Sequence, residues 1–160
     1  LRKKINLMRL SKNLTLREAV KSNTATRLGI DNRPDEWDIG NLKAIAENIF
    51  QPIRDHFGVP IGVSSGYRGK DLNKAVGGSK YSQHMTGEAL DIDADIHGKV
   101  TNADIFKFVK NNLHWDQMIW EFGDDENPAW IHVSFKEGGG NRCQVKRAYR
   151  DEKGIYYRVL

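Results

Sequence analysis

Cysteine is almost absent from the chain. Cys143 stands alone, which excludes an internal disulfide and any zinc site built on thiolates, and leaves histidine and carboxylate as the available ligands for a metal. Cys143 itself is expected to be packed as a small hydrophobe. No apolar run approaches the roughly 18 residues of a membrane span, so no spanning helix is expected. An N-terminal apolar core of the signal-peptide kind is missing too, as are internal repeats and low-complexity segments. Concentrated positive charge is scarce. The formal charge is +4, but apart from Arg2 to Lys4 and Lys146 to Arg150 the basic residues are scattered. With no basic helix and no aromatic-basic platform, nucleic acid is not expected as a partner. An anionic surface such as a cell-wall polymer suits the charge better.

What is present fits one domain, because 160 residues leave little room for two. Residues 1–13 read as a basic N-terminal arm and 14–160 as the single domain. Thr15 and Glu18 have capping-box spacing and predict a helix to about Ser22. Asn23 to Pro34 reads as a surface loop. From Trp37 to Phe57 the apolar positions Leu42, Ile45, Ala46, Ile49, Phe50, Ile53 and Phe57 recur at steps of three and four. That pattern is one face of a helix about five turns long, closed by Gly58 and Pro60. Strands are predicted at Val59 to Ser64, Ala89 to Asp93, Asp116 to Phe122 and Trp130 to Phe135. Thr101 caps another helix, and a hairpin runs from Cys143 to Val159. The class is α+β: an antiparallel sheet, N-terminal helices packed on one of its faces, and a site in a cleft on the sheet.

The stretch from Ser64 to Asp93 carries the chemistry. His84 and Asp91 are bridged by Gly87 and Ala89, a spacing too long for one helical turn but suited to a turn that folds back onto a strand. In the strand, Ala89, Asp91 and Asp93 share a face opposite Leu90 and Ile92. His132 lies with Trp130 and Ser134 on one face of another strand. These residues suit a metal site made of His84, Asp91 and His132, although on spacing alone a histidine and an aspartate at sheet edges are more often a hydrogen-bonded pair than ligands.

Ser65-Gly66-Tyr67-Arg68, Asn73, the run Ser82-x-His84-x-x-Gly87-x-Ala89-x-Asp91 and Trp130-x-His132 together resemble the D-alanyl-D-alanine carboxypeptidase / L-alanyl-D-glutamate endopeptidase family of zinc peptidases. These enzymes cleave peptidoglycan stem peptides, and phage endolysins are among them. The resemblance implies one zinc ion held by His84, Asp91 and His132, with Arg68 binding the substrate and steadying the developing oxyanion. It also implies a lesser substrate or outer-shell role for Ser82. Trp130, on the face of His132, is a candidate floor for the substrate groove.

One departure stands out. Several family members place the carboxylate base three residues before the last histidine, where this chain has Ala129. Glu121, which alternation puts opposite Met118, Trp120 and Phe122, is the replacement expected, and Asp124, Asp125 and Glu126 are the alternatives. The function expected is a monomeric zinc metallopeptidase hydrolysing an amide bond in peptidoglycan at the bacterial cell wall, carboxypeptidase or endopeptidase. The lack of a signal-peptide pattern suits a phage-encoded lysin or a virion component. The alternative is a non-catalytic zinc-containing module that binds wall fragments or a protein partner.

Overall fold

The computed structural model describes residues 7–160. It begins with two short paired strands, β1 (Arg9–Ser11) and β2 (Leu14–Thr15), whose Leu10 and Leu14 are buried. The arm expected over 1–13 is therefore strand from Arg9, because Leu10 has core to fill. Its first six residues lie outside the described ones. Thr15 closes a full capping box on α1 (Leu16–Val20), as its spacing with Glu18 requires.

The segment from Asn23 is not all loop. Residues Asn23–Leu28 form α2, N-capped by the Ser22 hydroxyl and stopped by Gly29 in the left-handed conformation. Gly29 reads as a loop residue but is the C-terminal cap of a short helix, and Ser22, where the preceding helix is expected to end, is its N-terminal cap.

The long helix is interrupted. It runs as α3 (Glu36–Ile45), passes through a π-helical turn at Ala46–Phe50, and continues as α4 (Gln51–Phe57). The cause is Pro52, which has no N–H to offer the carbonyl four residues back and would crowd it. The chain widens before it, with Gln51 N–H donating to Ala46 O, five residues behind. Leu42, Ile45, Ile49, Phe50 and Ile53 still present one continuous buried face, each side chain adding about 1.5–3 kcal/mol relative to exposure.

That face covers one side of a six-stranded sheet ordered β3-β4-β6-β5-β7-β8. The strands are β3 (Gly62–Ser65), β4 (Ala89–Asp93), β5 (Gln117–Glu121), β6 (Trp130–Ser134), β7 (Gln144–Asp151) and β8 (Gly154–Val159). Between them lie α5 (Lys70–Ala75) and α6 (Asn102–Asn112), the latter with a complete Thr101 capping box. The fold is α+β, but its sheet is mixed rather than antiparallel throughout. After β6 the chain crosses over and lays β7 parallel to β5. Alternation specifies which face of a strand is buried, not its direction beside a neighbour, so the crossover leaves no mark in the pattern.

Leu90, Ile92, Met118, Ile131, Val133 and Val145 all point into the helix-covered core. Asp91, His132, Ile119, Glu121 and Lys146 consequently belong to the other face, where the helices leave a cleft. No helix among the described residues is long and apolar enough to cross a membrane. Cys143 does not pack as expected. It is exposed, with a φ of 51° at the turn into β7.

Candidate metal centre

Two members of the site are placed by sheet register. Asp91 of β4 stands directly opposite His132 of β6, which puts both side chains on one face within reach of each other. His84 arrives from outside the sheet, on a single 3-10 turn, Gln83–Thr86, whose cap is the Ser82 hydroxyl accepting from His84 N–H at 3.3 Å. Arg68 N–H donates to the His84 carbonyl at 3.0 Å, tying the Ser-Gly-Tyr-Arg segment to this turn.

Two glycines make the approach feasible. Gly87 ends the turn at φ +73°, and a Cβ there would come within 2.5 Å of the Asp38 carbonyl in α3. At Gly66 a Cβ would collide with the Ala19 carbonyl oxygen. Gly66 is also the residue whose carbonyl accepts from His84 Nδ1 at 2.6 Å. Moving that backbone removes the partner that orients this candidate ligand, which for a bound metal is a loss of the order of 10- to 100-fold in affinity. Gly66→Ala is therefore expected to lower zinc affinity by about that factor, measured by competition with a chromophoric chelator.

A carbonyl only accepts, so the short contact to Gly66 assigns the proton of the neutral ring to Nδ1 and leaves Nε2 of His84 bare. That nitrogen lies 3.2 Å from Asp91 Oδ1 and 3.2 Å from His132 Nδ1, and the latter two atoms are 3.1 Å apart. Three atoms with acceptor lone pairs thus form a nearly equilateral triangle, an arrangement that needs a cation or a proton at its centre. Tetrahedral ligands with bonds of 2.0–2.1 Å are separated by about 3.3–3.4 Å. The triangle is therefore the base of a zinc-sized site. His84, Asp91 and His132 can hold a metal ion, and they leave a fourth position toward the cleft, as catalytic sites do. Burial raises the Asp91 carboxyl, but without a metal a proton takes the cation's place, and His84 and His132, when positively charged and donating to Asp91, overcome that rise and hold it well below the usual carboxylate range.

The cleft above the triad encloses about 760 Å³. Arg68, Ser82, Glu121 and Trp130 all line it, together with the three candidate ligands. Burial lowers Arg68, partly offset by Asp91 and Glu121, and its Nε is buried without a partner. Glu121 is 8% exposed and its carboxyl is pushed up to about 7, chiefly by burial. Nearby His132 and Arg68 oppose that rise, and Asp91 adds to it. Asp124, Asp125 and Glu126 do not line the cleft. Asp124 caps its own loop through the amides of Glu126 and Asn127, and Asp125 pairs with Arg147 at 2.6 Å. Ser82 acts on the backbone of His84 as its turn cap.

Several cleft residues are not assigned to the site by the sequence, in which Lys146 and Arg150 stand out only as the ends of a basic run. Lys136, Arg142, Lys146, Arg150 and Tyr157 form its far wall. Finding them required the β5–β7 pairing, which alternation does not encode. Asp116, wholly buried, organises part of this wall. It takes a bidentate contact from Arg142 at 2.9 and 2.8 Å and a hydrogen bond at 3.0 Å from Gln83, the neighbour of His84. Burial raises this carboxyl, yet the Arg142 and Gln83 hydrogen bonds bring it down to about 2. A carboxyl depressed in the fold contributes stability that is complete above its unfolded value of 3.8 and is lost as pH falls through about 2. Asp116→Asn should thus cost on the order of 2 kcal/mol at neutral pH and progressively less in acid, read from denaturant melts across pH.

A family model described as Peptidase M15 matches residues 12–134, more than half of the chain. The motifs at Ser65 to Arg68, Ser82 to Asp91 and Trp130 to His132 all lie inside the match. No curated protein matches the chain.

Proposed function

This chain belongs to the Peptidase M15 family, and from that premise we propose that it is a zinc-dependent peptidase hydrolysing an amide bond in peptidoglycan stem peptides at the bacterial cell wall. The observation that carries the zinc assignment is the triangle of His84 Nε2, Asp91 Oδ1 and His132 Nδ1 with edges of 3.1–3.2 Å. Two nitrogens and one carboxylate oxygen around an open position are a donor set suited to catalytic zinc.

Zinc, when held there, supplies Lewis acidity and lowers the pKa of water to roughly 7. The chain's own residues do the rest. Glu121, kept out of bulk solvent on the triad's face of β5, receives the proton from the attacking water and delivers it to the leaving amine. A carboxyl near pH 7 suits both halves of that task. Arg68 contributes a permanent cation at the cleft wall, to hold the substrate carbonyl or carboxylate and to offset charge that develops in the transition state. Trp130 offers a flat apolar floor beside them.

The departure at Ala129 has a structural counterpart. Ala129 N–H donates to the Glu121 carbonyl at 2.9 Å, so the position just before β6 where several family members carry the base is bonded to the residue proposed here, at the end of β5. A carboxylate on the adjacent strand can serve the same space. The test is digestion of purified peptidoglycan by the zinc-loaded protein, with mass spectrometry of the released fragments. New amino termini within the stem peptide, or release of a terminal D-alanine, are expected. Zinc retention without any fragment would favour a binding module instead.

A further inference from the structure

The cleft does not end at the metal triad. Across the sheet, Asp91 is opposite His132, His132 opposite Ile119, and Ile119 opposite Lys146. Lys146 therefore shares the triad's face, two strands beyond His132, or about 10 Å at the usual strand spacing. Period-two alternation along β7 brings Arg150 to the same face, and both side chains line the cleft. Arg68 enters from the opposite side, just after β3, whose Ser65 pairs with Asp91. The triad thus lies between two cationic walls.

The far wall is not internally neutralised. Lys136 and Arg142 both spend their charge on Asp116, at 3.5 and 2.8 Å. Lys146 and Arg150 form no ion pair among the described residues, and the Arg150 guanidinium rests 4.9 Å from the Phe122 ring at the cleft edge. Both belong to the hairpin that follows the stretch matched by the family.

We propose that Lys146 and Arg150 form an anion subsite that selects peptide substrates carrying a free carboxylate on the hairpin side of the scissile bond. The subsite rests on the peptidase reading above, and deepens it by naming what the second half of the cleft recognises. Lys146 and Arg150 stand four residues apart on one face of β7, about 13 Å along the strand, a gap that side chains as long as lysine and arginine can close around one carboxylate, with Arg68 left for the other end of the same peptide. Hydrogen bonds to charged groups in such a setting are worth roughly ten- to a hundredfold in binding.

The experiment uses the zinc-loaded protein and two synthetic stem peptides, identical except that one has its side carboxylates amidated. Cleavage is read as kcat/KM, and binding of the same peptides is read by calorimetry with Glu121→Gln, whose turnover is too slow to interfere. Wild type is expected to favour the carboxylate form by about ten- to a hundredfold. The Lys146→Gln/Arg150→Gln variant should lose that preference, its kcat/KM for the carboxylate peptide falling to about its own value for the amidated one. Arg147→Gln is the control: it removes a charge from the same strand, but Arg147 pairs with Asp125 on the other face, so its preference should stay intact.

A double variant that still discriminates overturns the subsite and leaves the peptidase reading standing. The same is true if only affinity for whole walls falls, which would assign the two cations to polymer docking. Carboxylate-dependent binding without cleavage by wild type would keep the subsite and remove the peptidase reading. Absence of discrimination in both readouts overturns the subsite.

Discussion

Replacing His84 by alanine is expected to abolish stoichiometric zinc binding and, with it, peptide hydrolysis. The His84 ring has both nitrogens committed, Nδ1 to the Gly66 carbonyl at 2.6 Å and Nε2 to the triangle with Asp91 and His132. Losing an outer partner of a ligand costs about 10- to 100-fold in metal affinity, and losing the ligand itself exceeds that. The side chain is also 1% exposed, so the variant leaves a buried hole. Circular dichroism and a thermal melt in chelator separate the two effects, since a folded, metal-free variant isolates the ligand's contribution. An Asp91→Asn variant gives a second reading with little change in volume. It removes the carboxylate charge that stands against both histidines and is expected to weaken zinc binding while leaving the metal-free fold intact.

The second large effect is at Glu121. Glu121→Gln preserves size and most of the packing of a side chain only 8% exposed but cannot take up a proton. Zinc content is expected to stay at wild-type level, while kcat falls by about 10²- to 10⁴-fold, the usual worth of a general base. The pH profile gives the sign independently. Burial pushes the Glu121 carboxyl up to about 7, and a cation bound in the triad would favour its ionised form and bring it lower. A base must be deprotonated, so kcat/KM of wild type should fall as pH drops through a value at or below 7. That acid limb should be missing from the residual activity of Glu121→Gln. Full activity in the variant would move proton transfer to another group.

Local chemistry was the most legible part of this molecule. The Thr15 and Thr101 capping boxes form as their spacing requires, and the alternations around Asp91, Glu121 and His132 put these three side chains on one face. The sequence resemblance named His84, Asp91 and His132, and the fold brings them within hydrogen-bonding distance of one another. What could not be read were relations between distant segments. A hydrophobic period specifies burial, and it says nothing of whether β7 runs with or against β5. With that pairing hidden, Lys146 and Arg150 mark only a basic run and Tyr157 only a hairpin position, not a wall of the cleft. Short-range features failed where one residue type serves two purposes. Gly29 suggested a loop while capping a helix, and the apolar stripe from Leu42 to Phe57 concealed the effect of Pro52. Cys143, expected in the core, sits exposed at a turn because the crossover into β7 passes over the surface.

The central claim is that one zinc ion in the His84, Asp91 and His132 triangle makes this protein a peptidase. It is tested most directly by titrating chelator-stripped protein with zinc while following release of amino groups from peptidoglycan. Activity absent at the start, rising in proportion to added zinc and levelling at one equivalent per chain, is the result predicted. Activity that survives stripping, or zinc binding at one equivalent with no hydrolysis at any point, would contradict it.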